Sequence, residues 1–333
     1  MGATIKVGIA GHGNLGRGVE MAIGQNPDME LVGVFSRRAP KDVQLLNPQV
    51  PVRAFDELAA HQDRIDVLIL CGGSKNDLPE QGPALAALFN TVDSFDTHAR
   101  IPDYFAAVDA AARSAGHTAL IAVGWDPGLF SLNRLYGEAI LPAGDTHTFW
   151  GKGLSQGHSD AVRRVPGVRG AVQYTIPVQA AIDRVRNGER PTLATRDKHT
   201  RECFVVLEQG ASPADVVQAI VTMPDYFADY DTTVTFITAE ELQRDHAAMP
   251  HGGFVIRSGN TGSDASGSES RQVMEYSLKL DSNPQFTASV LVAYARATVR
   301  LAQQGASGAK TVFDVPPGLL SPKSAAELRK ELL

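Results

Sequence analysis

The chain of 333 residues is short of cysteine: it has two, Cys71 and Cys203, which form neither a CxxC pair nor a metal-ligand spacing. A disulfide framework is not expected from so few. HExxH and Cys/His clusters are also missing, so no metal is called for. Nor is there a basic excess: 31 Lys and Arg against 37 Asp and Glu give a formal charge of −6. A nucleic-acid binder favours a basic surface, so no nucleic-acid partner is expected. No stretch approaches about 18 unbroken apolar residues, so no membrane span is expected. The chain runs straight into a strand pattern without the charged and apolar regions of a secretory leader, and a cytoplasmic location is the expectation. What is present is a globular composition, 43% apolar and 20% charged, long enough for two domains.

The first third alternates strand and helix signals. TIKVGIAG suits a buried parallel strand, Asn14 to Gly24 reads as a helix, and MELVGVFSRR, DVLILCGGS and NTVDSFD read as further strands. A helix from about Pro102 to Ala115 stops at Gly116, and TALIAVGWDPG reads as one more strand. This rhythm predicts a parallel sheet with helices on both faces over residues 1–125. From Asp126 the pattern changes to longer strands in a mixed context, HTFWG, AVQYTIP, ECFVVLE, TTVTFIT, GFVIRSG and QVMEYSLKL, with PADVVQAIV and AEELQRDH as helices. The expectation for 126–284 is an α+β domain on a mixed, largely antiparallel sheet, with GNTGSDASGSES as a polar hairpin tip. NPQFTASVLVAYARATVRLAQQG reads as a long helix with Phe286, Val290, Leu291, Tyr294 and Leu301 near one face, placing about 285–333 back with the first domain.

Gly11, Gly13 and Gly16 match GxGxxG between a strand and a helix. The first glycine permits a tight turn, the second lets backbone approach a pyrophosphate, and the third lets helix and strand pack closely. The helix start then offers N–H groups to the anion. This predicts a doubly wound, Rossmann-type dinucleotide domain. An acid at the end of the second strand would grip a ribose 2′-hydroxyl. Here that position is Ser36, followed by Arg37 and Arg38. Two guanidiniums suit a 2′-phosphate, which favours NADP(H) over NAD.

Further polar groups stand out. Asp96 and Asp126 are placed at strand ends facing the ligand crevice, where two carboxylates suit an ammonium group. FWGKGLSQGHSD reads as a glycine-rich loop carrying Trp150, Gln156, His158 and Asp160. Arg201 falls at a strand start, His251 before another, Thr175 in QYTIP, and Asn283 before Pro284 at a helix start.

The segments GHGNLGRG, LVGVFSRRA, VGWDPGLFSLNR, HTFWGKGLSQGHSDAVRRVPGV, TMPDYF, MPHGG and LKLDSNPQFTAS together resemble the meso-diaminopimelate dehydrogenase family over nearly the whole length; the departures are chiefly in the GSDASGSES tip. The resemblance implies NADP-dependent, reversible oxidative deamination of the D-centre of meso-2,6-diaminopimelate to L-2-amino-6-oxopimelate and ammonia, in lysine and peptidoglycan-precursor biosynthesis. It also implies a homodimer. By similarity Asp96 and Asp126 sit at the D-centre amine. Arg201, Thr175 and His251 match groups that bind substrate carboxylate, and Trp150, Gln156, Gly157 and Asn283 match further substrate contacts. The implied NADP site takes in Gly11, His12, Gly13, Asn14, Leu15, Gly16, Ser36, Arg37, Arg38, Cys71, Gly72, Gly73, Ser74, Ser94, Phe95, Asp96, Val123, Gly124, Trp125, Asp126 and Pro127. The base that deprotonates the amine is left open between Asp126 and His158. Two other readings stay in play: an NADP-linked dehydrogenase of another amino acid, and a non-catalytic NADP(H) sensor.

Overall fold

A computed structural model describes residues 4–333. In chain order it begins with β1 (Ile5–Ala10), α1 (Asn14–Ile23), β2 (Met29–Ser36), β3 (Val52–Ala54), β4 (Val67–Leu70), α2 (Leu78–Ala86), β5 (Thr91–Asp93), α3 (Ile101–Ala115), β6 (Thr118–Leu120) and α4 (Leu129–Ile140). It continues with β7 (Ala143–Trp150), β8 (Gly153–Leu154), α5 (Gln156–Arg163), β9 (Val168–Pro177), α6 (Gln179–Arg186), α7 (Thr195–Lys198), β10 (His199–Leu207), α8 (Pro213–Val221), β11 (Asp231–Phe236), α9 (Ala239–Asp245), β12 (His251–Ser263) and β13 (Glu269–Leu280). It closes with α10 (Asn283–Gln303), β14 (Gly308–Lys310) and α11 (Ala325–Leu332). Contacts divide the chain into two units, Met1–Leu132 with Pro284–Leu333, and Asn133–Asn283.

Unit 1 is built on a seven-stranded sheet in the order β14-β6-β5-β4-β1-β2-β3, parallel throughout. The alternation of strand side chains splits its core in two. Val7, Ile9, Val67 and Ile69 face Val19 of α1 and the apolar residues of α10. Leu68 and Leu70 face Leu85 of α2 and Val108 and Ala112 of α3. This is the doubly wound α/β fold the sequence predicts. The long helix α10 differs from the single stripe expected of it: Val290, Leu291, Val292, Tyr294, Ala295, Arg296, Ala297, Thr298 and Val299 are all buried. Its inner Arg296 is satisfied by Asp28 at 2.6 and 2.7 Å, Asn26 at 2.6 Å and the Leu320 carbonyl at 2.8 Å. A helix buried nearly all round holds an arginine only when every donor finds an acceptor.

Unit 2 holds two sheets, a four-stranded one in the order β11-β10-β9-β8 and a three-stranded one in the order β13-β12-β7. Pairing is antiparallel except between β10 and β11, so the mixed, largely antiparallel expectation holds. On β9 and β10 one face carries Ala171, Cys203 and Val205 under Val162 of α5 and Ile220 of α8. The other carries Val172, Tyr174 and Phe204 against Leu242 of α9.

Two local expectations are corrected. The strand in TALIAVGWDPG ends at Leu120, because Ala122 takes a positive φ of 55° and the chain then turns. Asp126 therefore lies in a turn beyond the sheet rather than at a strand end, and Asp96 likewise lies past the end of β5. FWGKGLSQGHSD is not one loop: it holds β8 and the start of α5, which Ser155 caps by accepting the His158 N–H. Among the described residues no helix is long and apolar enough to cross a membrane, and no group of three metal-ligating side chains occurs.

Candidate active site

The glycine fingerprint has the form each position requires. Gly11 takes a φ of 95°, a conformation that favours glycine. A Cβ on Gly16 would stand 2.2 Å from the Gly11 carbonyl oxygen, so the turn and α1 close only on glycine. A Cβ on Gly13 would meet nothing within 4 Å, so this position faces open space. Gly13 is also the N-cap of α1 and offers no side-chain acceptor to the helix start. The first-turn N–H groups at that end are the ones an anion would take.

At the end of β2, Ser36 is buried and its hydroxyl accepts the Arg38 N–H at 3.1 Å. The Arg38 guanidinium donates to the His12 carbonyl, which ties it to the glycine turn. Arg37 pairs with Asp77 at 2.8 Å, and Asp77 also accepts the Gly73 N–H at 2.9 Å. The two arginines, Ser36, His12, Gly72 and Gly73 thus share one neighbourhood. No carboxylate takes the position where an acid would grip a 2′-hydroxyl. The residues present fit NADP(H): an open glycine turn for the pyrophosphate and two cations for the 2′-phosphate. Behind the turn, a buried pair that the motif does not reveal joins His12 Nε2 to Glu20 at 3.0 Å. Glu20 also accepts the Leu46 N–H at 2.7 Å and the Asn47 N–H at 3.1 Å. Cys71 follows β4, and burial pushes its thiol up to about 12, so it stays protonated and unreactive.

Asp96 and Asp126 both belong to unit 1. Asp96 is exposed, and its N–H donates to Ser74 Oγ at 3.0 Å, so Ser74, Ser94, Phe95 and Asp96 form one loop with the segment after β4. Asp126 is half-buried in the turn Val123–Gly124–Trp125–Asp126–Pro127–Gly128. That turn closes tightly, since a Cβ on Gly128, at φ 131°, would stand 1.8 Å from the Gly124 carbonyl oxygen. Trp125 packs edge-on against Phe130 with centroids 5.2 Å apart. Asn14 and Leu15 sit on the first turn of α1.

The seven expected substrate contacts all lie in unit 2, and the strands bring most of them together. Thr175 pairs in register with Arg201 on one side and Gly153 on the other. The ring of His251 lies over Gly153, where a Cβ would come within 2.5 Å of it. His251 Nδ1 lies 2.8 Å from the Gly252 nitrogen and 3.2 Å from the Gly252 carbonyl oxygen. Gln156 reaches Met249 Sδ at 3.1 Å, and the Met249 carbonyl accepts the Asn283 N–H at 2.9 Å, so both gather at the Met249–His251 segment. Gly157 follows Gln156 on α5 with open space at its Cβ.

Arg201 is the electrostatic centre of this cluster. It is 6% exposed, donates to Thr175 Oγ1, and lies 3.8 Å from the centroid of the Tyr230 ring. Its Nε is buried without a hydrogen-bond partner, and no carboxylate of the described residues pairs with it. Burial pushes its guanidinium below the usual arginine value, and Tyr230 opposes that shift. A buried cation with an unused donor is a ready site for a carboxylate.

Sequence reasoning missed His199. Its Nε2 accepts the Trp150 N–H at 2.8 Å, and the two rings stack with centroids 5.3 Å apart. Burial and the Arg201 charge push it down to about 3, so it is a neutral acceptor that orients Trp150. Its place two residues before Arg201 on the same strand face was the available signal. His158, expected as a possible base, is pushed down to about 4 by burial and Arg201. It binds Ser155 at 2.7 Å and packs against Tyr226 and Phe227, so its work is at the start of α5.

Comparison with known proteins agrees with this layout. Residues 124–282 match the model of the diaminopimelic acid dehydrogenase C-terminal domain. A meso-diaminopimelate D-dehydrogenase of Ureibacillus thermosphaericus is 65% identical over 99% of this chain and 100% of its own. The structure of the C. glutamicum DAP dehydrogenase in complex with DAP superposes with a TM-score of 0.91 at 47% identity, covering 100% of both chains. An engineered D-amino acid dehydrogenase bound to NADP+ gives 0.86 at 46% identity, covering 99% of this chain and 100% of the other. Together with the glycine turn, the arginine pair and the buried Arg201, these matches show that the chain belongs to the meso-diaminopimelate D-dehydrogenase family.

Proposed function

We propose that this protein catalyses the NADP-dependent, reversible oxidative deamination of the D-centre of meso-2,6-diaminopimelate, giving L-2-amino-6-oxopimelate and ammonia. The observation that carries the reading is the charge layout on a chain of this family. Unit 1 by itself holds two carboxylates, Asp96 and Asp126, together with the glycine fingerprint, and unit 2 by itself holds a buried guanidinium with an unused donor. The substrate carries two ammonium and two carboxylate groups, so both signs are needed.

On this reading unit 1 forms the dinucleotide domain, its boundary seven residues beyond the 125/126 division expected from sequence, and unit 2 forms the substrate and dimerisation domain of a cytoplasmic homodimer. Gly11, Gly13, Gly16 and the α1 N–H groups hold the pyrophosphate, and Ser36, Arg37 and Arg38 hold the 2′-phosphate. The bound NADP+ supplies the hydride acceptor. Asp96 and Asp126 hold the D-centre amine and orient its Cα–H. An ammonium has no lone pair to drive C–N double-bond formation, so the amine is deprotonated first. Asp126 is the better placed of the two base candidates, since His158 is bound at the start of α5. Arg201, Thr175 and His251 bind carboxylate, with Trp150 as an apolar wall and Gln156, Gly157 and Asn283 completing the contacts. Water then adds to the imine carbon and ammonia leaves.

The test is a turnover panel: NADP+ reduction with meso-, LL- and DD-diaminopimelate and simple D-amino acids, each repeated with NAD+. Turnover of the meso substrate with NADP+, far above that with LL substrate or with NAD+, is the expected result. Equal turnover of LL and meso substrate would overturn the D-centre assignment, and NADP+ binding without turnover of any amino acid would favour the sensor.

A further inference from the structure

The end of β5 carries an acidic residue that none of the expected roles absorbs. Asp93 is 1% exposed, between two neighbouring strands of the sheet. Its Oδ1 accepts the Phe95 N–H at 2.9 Å and the Ala122 N–H at 3.2 Å. Its Oδ2 accepts the Tyr104 hydroxyl at 2.6 Å, and its own carbonyl accepts the Val123 N–H at 2.9 Å. One residue therefore holds two turns at once. The first, anchored at Phe95, carries Asp96. The second, anchored at Ala122 and Val123, leads to Asp126.

The second turn needs such an anchor. Ala122 holds a φ of 55°, which a residue with a Cβ rarely adopts unless its surroundings impose it. The hydrogen bonds to Asp93 from Ala122 and its neighbour are what impose it here. The first turn is fixed from its other side as well: the Phe95 ring stacks on Tyr104 with centroids 4.1 Å apart. Room for the Tyr104 hydroxyl depends on Gly82, where a Cβ would stand 2.1 Å from it. Burial makes the arrangement costly, pushing the Asp93 carboxyl up to about 6 against its three hydrogen bonds. A buried carboxylate kept at such a cost fits a role beyond packing.

We propose that Asp93 is the positioning residue of the reaction: it sets the separation of Asp96 and Asp126 by bonding the two turns that carry them to one carboxylate oxygen. The inference rests on the roles given to Asp96 and Asp126 above. Asp93 itself touches neither substrate nor cofactor in this account. Its effect is read in kcat, because misplacing a reacting group by about 1 Å can cost on the order of 100-fold.

The experiment compares Asp93→Asn, Asp93→Ser and Tyr104→Phe in the full-length protein, measuring kcat and KM for meso-diaminopimelate, NADP+ affinity and Tm. The amide oxygen of asparagine accepts both N–H groups, so Asp93→Asn keeps kcat within about threefold of the wild type. Serine is too short to reach both turns, so Asp93→Ser lowers kcat by about 100-fold while NADP+ affinity changes little. Tyr104→Phe lowers Tm but leaves the clamp on Oδ1, and so keeps kcat. A purely structural role predicts instead that kcat follows Tm across the three variants. That result would overturn the proposal, as would a loss of kcat in Asp93→Asn of the size expected for serine. The latter test stands even where the serine variant fails to fold, since asparagine is nearly isosteric. Wild-type protein inactive on the meso substrate would sink the functional reading and this inference with it. Active wild type with an unaffected Asp93→Ser would sink this inference alone.

Discussion

Replacing Arg201 by methionine separates a ligand-binding cation from a structural one. The guanidinium is 6% exposed, donates to Thr175, and leaves Nε without a partner. Truncating one side of a buried, hydrogen-bonded charge pair costs about 2–5 kcal/mol. Taking about 3 kcal/mol for the bond to a substrate carboxylate, kcat/KM for meso-diaminopimelate falls on the order of 100-fold, mostly through KM. The free protein behaves oppositely. It buries this cation without a carboxylate to offset the desolvation, and methionine fills similar volume. Thr175 and the Tyr230 ring offset that burial only in part, so removing the charge is neutral or stabilising, and Tm holds or rises by about 2–4 °C per kcal/mol gained. Steady-state kinetics, NADP+ titration and calorimetry on one preparation read all three quantities. Unchanged KM with a Tm lowered by several degrees would refute the reasoning and leave Arg201 a structural residue.

Arg38→Ala weakens NADP+ by roughly 10–100-fold with little change for NAD+, the loss of one charge-assisted contact, and parallel titrations of the two nucleotides check it. Arg37→Ala has the smaller effect of the two, because its guanidinium is already shared with Asp77. Arg296→Ala takes the guanidinium from Asp28 and Asn26, both half-buried in unit 1, and costs about 1.5–3 kcal/mol, measured by denaturant unfolding. Asp28 is held below its ordinary value chiefly by the hydrogen bond from Arg296, so that part of the stability is present above about pH 4 and is lost as pH falls through the lowered folded value. Asp93 has the opposite sign. Its folded value of about 6 lies above the unfolded 3.8, so it stabilises most below 3.8 and that contribution is lost as pH rises to 6. The difference corresponds to about 3 kcal/mol, and Asp93→Asn removes that slope from a plot of unfolding free energy against pH.

The elements legible from sequence are those with a local signature. The unbroken apolar run of β4 and the turn glycines around α1 and α3 locate their elements closely, as a strand buried on both faces or a glycine at a helix end demands. The strands β3 and β14, of three residues each, are too short to show a period. Helix α10 shows no single stripe because its polar residues are buried too, with Arg296 satisfied by Asp28 from far away in the chain. The site follows the same division. Gly11, Gly13, Gly16 and the arginine pair announce themselves through local spacing. Arg201, Thr175 and Gly153 meet only through strand register, and His199, Glu20 and Asp93 act through hydrogen bonds that single-sequence patterning does not encode. The turn that carries Asp126 resembles strand in the sequence because its apolar run continues past Leu120, while the positive φ at Ala122 is a tertiary effect.

Isotopic labelling of the substrate follows the hydride from the D-configured carbon to NADP+. Meso-diaminopimelate deuterated at the D-centre alone, and at the L-centre alone, is incubated with the protein and NADP+, and the reduced cofactor is analysed by mass spectrometry. Deuterium is expected in NADPH from the D-centre label and none from the L-centre label. Deuterium arriving from the L-centre, or unlabelled NADPH from the D-centre substrate, would contradict the D-centre assignment.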